Sequence, residues 1–489
     1  MSISFNNIPL DIRTPYQAVE FDNTRAVAGL TVQPHKILVI GYRADNSPVG
    51  GGTLKQILSS EQADGFYGRD SMLAAMLRKL KAVNNITETW ALAITDDSDS
   101  GLASGAITVA PGAATENGTI HLYVHGVYVP VAVNIGDDQD AIAANITAAI
   151  TNNSLMQLYS FVDPSLNSVT LRSKHSGSAG NFIDVRINYQ STQQLPAGVS
   201  VTIVPMAGGD FNAIFPSTFA TLGDEQFHTI IMPYTDVGSL QDLEPWLADR
   251  WGPMVQKEGH AFAAANGTHA ELTTLGNSRN SQFVTIMGLQ NSPTTPWEAA
   301  AVIGGIDALE PDPARPRQTL RLPGILAPAV VDRYTREERD LHLHDGISTF
   351  TVDAGGNMAI ERLITTYQTN SGGIPDPSYL DVTTMRTLSF IRFSMRARIA
   401  LRYPRFKLAG DTEPDRPGQA IVRPKDIRNE LIALFTDWQN AGLVEDVEQF
   451  KTELLVIISP TDPNRIDVQL SPNLINQFRV FAAQVQFII

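Results

Sequence analysis

Lys36-Ile37-Leu38-Val39-Ile40-Gly41 is a short apolar run closed by a glycine. A strand buried on both faces reads this way, and the rest of the fold can be built outward from it. Downstream, Ser71 to Lys81 places Met72, Leu73, Met76, Leu77 and Leu80 at helical spacing, and Trp90-Ala91-Leu92-Ala93-Ile94 is a second buried strand. The rhythm resumes after residue 205. It predicts strands at Thr229–Met232, His260–Ala265 and Phe283–Met287, and helices at Leu240–Trp251 and Pro296–Leu309. Pro296 stands in the first turn of the last helix, where its missing N–H costs nothing. Strand and helix alternating at this spacing predict an α/β core, a mostly parallel sheet covered by helices.

Residues 101–205 interrupt that rhythm. Only nine residues between Ala106 and Pro205 are charged, and Val, Thr, Ile and Asn dominate. Thr119–Val133 alternates around Gly126 and reads as a hairpin; Val169–Arg172, Phe182–Asn188 and Val199–Val204 read as further strands, with one helix at Asp140–Thr151. This is a β-rich domain inserted into a loop of the core. The Pro- and Arg-rich stretch 311–335 reads as a long surface connection. Strands are expected at Ile347–Val352 and Asn357–Ile364, helices at Asp381–Arg402 and Pro424–Asn440, and strands at Gln449–Ile458 and Arg465–Leu470. Both chain ends look extended. Ile3 and Phe5 alternate with polar residues, and Phe481, Ala483, Val485, Phe487 and Ile489 line one face of a terminal strand. An apolar strand left unpaired invites association, so this one pairs within its own subunit or adds to a sheet in another.

Composition excludes several classes. The chain has 489 residues, a formal net charge of −15 and no cysteine. That removes disulfides, cysteine-based zinc sites and thiol nucleophiles, and the acidic balance argues against electrostatic binding of nucleic acid. The start, Met1-Ser2-Ile3-Ser4-Phe5, lacks the basic and apolar regions of a signal peptide, and no apolar run is long enough to suggest membrane insertion.

Motifs for chemistry are scarce. Gly50-Gly51-Gly52 lacks the Lys-Ser/Thr of a phosphate loop, and no G-x-G-x-x-G follows the first strand. Asp96-Asp97-Ser98-Asp99 resembles a calcium loop, but the twelfth position from Asp97 is Thr108, not glutamate. His342 and His344 have no third ligand nearby and are expected on a strand or turn surface. Asn266-Gly267-Thr268-His269 resembles the His-Gly-Thr-His segment of subtilisin-like proteases, with an amide where the general base belongs. An amide cannot take the proton of a serine, and Ser278 in Gly276-Asn277-Ser278 stands alone. No catalytic, cofactor or metal residue is expected, and a hydrolase on this core is the weaker alternative.

Charge is the feature that stands out. From Val382 to Gly410 the chain carries Arg386, Arg392, Arg396, Arg398, Arg402, Arg405 and Lys407 and no acidic residue. Met385, Leu388, Ile391, Met395 and Ile399 run at gaps of three and four, so one face of a helix docks on a core. The arginines around it read as unpaired cations facing an acidic partner.

Three blocks carry a family resemblance: Ser2-Ile3-Ser4-Phe5-Asn6-Asn7-Ile8-Pro9 with Glu20-Phe21-Asp22-Asn23; Ile360-Glu361-Arg362-Leu363-Ile364-Thr365-Thr366-Tyr367 with Ser378-Tyr379-Leu380-Asp381-Val382 and Arg402-Tyr403-Pro404-Arg405-Phe406-Lys407-Leu408-Ala409; and Asn476-Gln477-Phe478-Arg479-Val480-Phe481. In order and over nearly the whole chain they resemble the contractile tail sheath proteins of bacteriophages, most closely the Mu-like group. The resemblance implies an α/β core of degenerate subtilisin-like topology without the triad, formed by 21–100 and 206–365, and a surface-exposed insertion at 101–205. It further implies a tube-facing α+β domain at 366–475 containing the basic segment, and strand-donating arms at 1–20 and 476–489. The implied subunit polymerises into stacked hexameric rings around a tail tube and contracts during genome delivery, with no cofactor. Its implied partners are itself, the tube, and the baseplate and terminator proteins, with no direct nucleic acid and no membrane insertion. It would be assembled in the host bacterial cytoplasm and belong to the virion tail; a headless bacteriocin-like particle uses a similar sheath.

Overall fold

The computed structural model describes residues 15, 17, 19, 30–94, 101–163, 167–210, 216–414, 416 and 418–488. Ile3, Phe5 and Ile489, and the Asp96–Asp99 motif, lie outside them. The chain divides into two compact units: one holds His35–Asp312 and Pro316–Met385, the other Met1–Pro34, Pro313–Arg315 and Arg386–Ile489.

The larger unit is built on a six-stranded sheet ordered Val284–Gly288, His260–Ala265, Thr229–Ile231, Lys36–Tyr42, Glu88–Ile94, Leu54–Ile57. Five strands are parallel; the edge strand Leu54–Ile57 runs antiparallel to its neighbour. The expected apolar run is the central strand, and Ile37, Leu38, Val39 and Ile40 are fully buried. Helices Met72–Val83 and Pro296–Leu309 cover one face. Glycine permits that close packing. A Cβ on Gly41 would lie 3.3 Å from Leu73 Cα, one on Gly304 would collide with Ile231 Cδ1, and one on Gly305 would lie 2.7 Å from Leu80 Cδ1. On the side that Ile230 faces, Ile230 and Leu247 of helix Val237–Trp251 would both lie within 3.5 Å of a Cβ on Gly259.

The insertion has the expected β-rich make-up. Its hairpin pairs Gly118–Val124 with Val127–Val133 through His125-Gly126, both at positive φ. A four-stranded sheet is ordered Val201–Ala207, Ser104–Val109, Ser168–Ser173, Leu158–Asp163. Its first and last strands in sequence pair with each other, so the two ends of the insertion lie together.

Several elements differ from expectation. The stretch 311–335 is not simply a surface connection. Leu322, Ile325 and Ala327 are buried, its backbone pairs with Met358 and Ile360, and the Arg317 guanidinium is 2.8 Å from the Asp307 carboxylate with both side chains buried. Gln449–Glu453, expected as strand, falls in helix Val447–Glu453, because Val447, Phe450 and Leu454 repeat at helical spacing and Phe450 stacks on Phe435 at 4.1 Å. His342 and His344 lie on helix Arg336–His344, not on a strand or turn.

In the smaller unit, helix Pro424–Asn440 packs Leu431, Leu434, Phe435 and Trp438 against Ile391, with Met395 and Ile399 beside them. Beyond the helix, Leu455–Ile458 and Ile466–Gln469 form a two-stranded antiparallel sheet.

Candidate assembly surfaces

In an open α/β sheet, ligands bind where the strand order reverses, outside the carboxyl ends of the strands. Here that point lies between Lys36–Tyr42 and Thr229–Ile231, and the insertion fills it. The Tyr42 ring stacks on His175 of the insertion at 5.4 Å, Tyr234 lies 5.9 Å from Tyr42, and His175 meets Trp297 edge-on at 5.7 Å. Burial pushes His175 down to about 4, so it is neutral near pH 7. Lys174 pairs with Asp70 at 2.6 Å. The hairpin tip brings His125 Nδ1 to 4.0 Å from Glu298, at the start of helix Pro296–Leu309. Burial alone would raise Glu298; His125, Lys79 and Thr295 outweigh it and hold the carboxyl at about 2.

The protease-like segment is a strand-to-helix turn. Asn266 follows strand His260–Ala265 and donates from Nδ2 to Ser292 O at 3.1 Å. Thr268 caps helix His269–Asn277 in a capping box with Glu271. Ser278 stands past the far end of that helix, about 13 Å along its axis. The turn therefore does not bring Asn266 and Ser278 together.

The basic segment contains helix Val382–Arg402. Its cations divide into two kinds, which corrects the expectation of seven unpaired charges. Arg398, 12% exposed in its side chain, bridges Glu430 at 3.0 Å and Asp437 of helix Pro424–Asn440; Arg402 reaches Glu430 at 3.5 Å. The acids that neutralise them come from the next helix, so the run of sequence could not reveal them. Arg386 and Arg392 are half-buried and Arg396 is exposed, and each has contacts. Arg405 and Lys407 are exposed; Lys407 donates to Gln419 at 3.1 Å.

Beside these residues runs an apolar groove of about 1000 Å³, lined by Met395, Ile399, Tyr403, Phe406, Leu431 and Val468 among others. The closing segment of the chain forms no helix or strand after Asn473–Leu474 among the described residues. Within it Phe481, Val485 and Phe487 are 79%, 84% and 81% exposed, Ala483 is exposed, and no sheet pairing involves 480–488 among the described residues. No helix of the described residues is long and apolar enough to cross a membrane.

Comparison with known proteins agrees with the resemblance. The model of the phage tail sheath central domain matches residues 212–366, and that of the phage tail sheath C-terminal domain matches 375–488. The Mu-like prophage FluMu tail sheath protein of Haemophilus influenzae is 40% identical over 493 residues, covering all of both chains. The chain belongs to the phage tail sheath family. It is thus a structural protein of contractile tails, and the hydrolase alternative gains no support. Among solved structures, the sheath tail protein of Listeria innocua matches at a TM-score of 0.48 and 14% identity, over 93% of this chain and 94% of that one. The anti-feeding prophage sheath in its contracted state matches at 0.47 and 10%, over 97% and 99%.

Proposed function

We propose that the chain polymerises into a helical sheath of stacked hexameric rings around a tail tube, held together by strands exchanged between subunits. Contraction of that sheath would drive the tube through the host envelope during genome delivery. The observation that supports this reading is the closing segment, whose apolar residues alternate in sequence, are exposed, and enter no sheet pairing among the described residues. Its acceptor is the two-stranded sheet Leu455–Ile458/Ile466–Gln469. A two-stranded sheet is marginal alone; this one lines the apolar groove with Ile466 and Val468 and exposes Leu455 and Ile457 on its other face. A head-to-tail contact of this kind gives a ring where its rotation closes and a helix of subunits where it does not.

The N-terminal arm with Ile3 and Phe5, and Ile489 at the other end, complete the proposed exchange. Arg405 and Lys407, with Arg396, are the proposed contacts to the tube. Arg386 and Arg392 stand second because they are half-buried, and Arg398 and Arg402 hold the domain together from within. The parallel sheet with Asn266 in its strand-to-helix turn supports a degenerate subtilisin-like topology for the core. The tube, the baseplate and the terminator are the partners proposed, in a particle assembled in the bacterial cytoplasm.

The test is electron microscopy of the purified protein beside a truncation lacking Ala483–Ile489. Full-length protein is expected to form rings or tubes, and the truncation to remain a folded monomer by circular dichroism. A truncation that polymerises normally would remove strand exchange from the account.

A further inference from the structure

Helix Arg336–His344 contributes one buried residue to the larger unit, His342, and that residue is a histidine stacked on another histidine. The rings of His342 and His269 lie 4.1 Å apart at 20°. His342 Nε2 is 3.3 Å from His269 O, and His269 Nε2 is 3.3 Å from Glu338 O. A carbonyl only accepts, so each ring carries its proton on Nε2, and the neutral form satisfies both bonds. Tyr334 closes the cluster. Its ring sits edge-on to both imidazoles, at 5.5 and 5.1 Å, its hydroxyl donates to Gly267 O at 2.9 Å, and its N–H donates to Gln290 Oε1 at 3.0 Å. The cluster therefore ties the end of the 311–335 connection and its helix to the turn Asn266–Thr268.

We propose that the His269–His342 stack is an acid-released clasp: neutral rings hold helix Arg336–His344 on the core, and a second positive charge in the stack lets it go. Two imidazolium rings at stacking distance repel, and one of them would be charged in a largely buried place. The charged groups around the pair do not cancel this. Glu338 and Glu271 are committed to capping boxes, and Arg339 is paired with Glu361 at 2.8 Å. Asp345 and Glu338 favour protonation of His342, yet burial outweighs them and its pKa is lowered. The remaining nearby acid, Asp332, acts on Tyr334. A histidine with a lowered folded pKa stabilises above its unfolded value of about 6.5, and that contribution fades as pH falls below it. The clasp is thus closed at neutral pH and loosens in acid.

Amide hydrogen exchange on the full chain, corrected for intrinsic pH dependence, tests this between about pH 7.5 and 5. Exchange in 336–345 should accelerate relative to helix Val237–Trp251, by up to about tenfold per pH unit for each proton taken up. His342→Gln removes the titration, and there the acceleration should vanish; His269→Phe keeps a stacked ring but removes the facing charge, and there it should shrink. If a variant fails to fold, ring-proton NMR of the wild-type protein decides. The His342 resonance should then lose its contact with Tyr334 as the pH falls through the range. Flat exchange across the range, or equal acceleration in both variants, would overturn the proposal.

Discussion

Arg398 and Arg405 carry the same charge seven residues apart and do different work. Arg398 is enclosed by Glu430 and Asp437, so Arg398→Ala would leave two carboxylates facing a gap. Removing one partner of a largely buried pair costs on the order of 3 kcal/mol, and a lowered urea midpoint should report it. Arg405 is exposed, so Arg405→Ala should leave the midpoint within about 0.5 kcal/mol of wild type while weakening the proposed, salt-sensitive contact with a tube. His175 adds a pH effect of known sign. Its folded pKa, about 4, lies below its unfolded value, so the protein loses stability as pH falls from about 6.5 towards 4. The share due to His175 should approach roughly 3 kcal/mol, so His175→Phe should lose that much less, measured as the difference between their urea curves at pH 7 and 4.5.

At the scale of elements, what was legible in the sequence follows burial. Strands buried on both faces announce themselves: His260–Ala265 has its expected bounds, and Lys36–Tyr42 gains one residue. The edge strand Leu54–Ile57 was illegible because Lys55 and Gln56 are exposed and only Ile57 is fully buried. Helix Arg336–His344 has no apolar stripe, and its one buried side chain is polar. The signals that could have found it and helix His269–Asn277 were the capping boxes Thr335/Glu338 and Thr268/Glu271. The candidate assembly surface was half legible. The alternating end of the chain could be read directly, but the acids opposite Arg398 and Arg402 sit on another helix and needed the fold. The helix-sheet contact at Gly304 gives a further expectation. Gly304→Val should destabilise the core by about 2 kcal/mol or more, visible as a fall in melting temperature, since its first carbon already meets Ile231.

At the scale of the whole molecule, the insertion is part of the core's packing and not an ornament. Excising 106–204 would uncover Tyr42 and Trp297, both buried against His175, and strip Glu298 of His125. The excised chain should melt well below the full chain or fail to accumulate in soluble form; a melting temperature equal to the parent's would contradict this. The sheet order has a further consequence, in time. The Lys36–Tyr42 strand can meet Glu88–Ile94 early in synthesis, but the contact from Lys36 to His228, beside its other neighbour, spans 192 residues. At about 5–20 residues per second the ribosome needs roughly 10–40 s to supply that segment. Throughout this interval one edge of a strand destined for full burial is open to any strand it meets. The centre of the subunit is among the first parts made and among the last to close, so nascent-chain chaperones have their strongest claim on this protein before its second half exists.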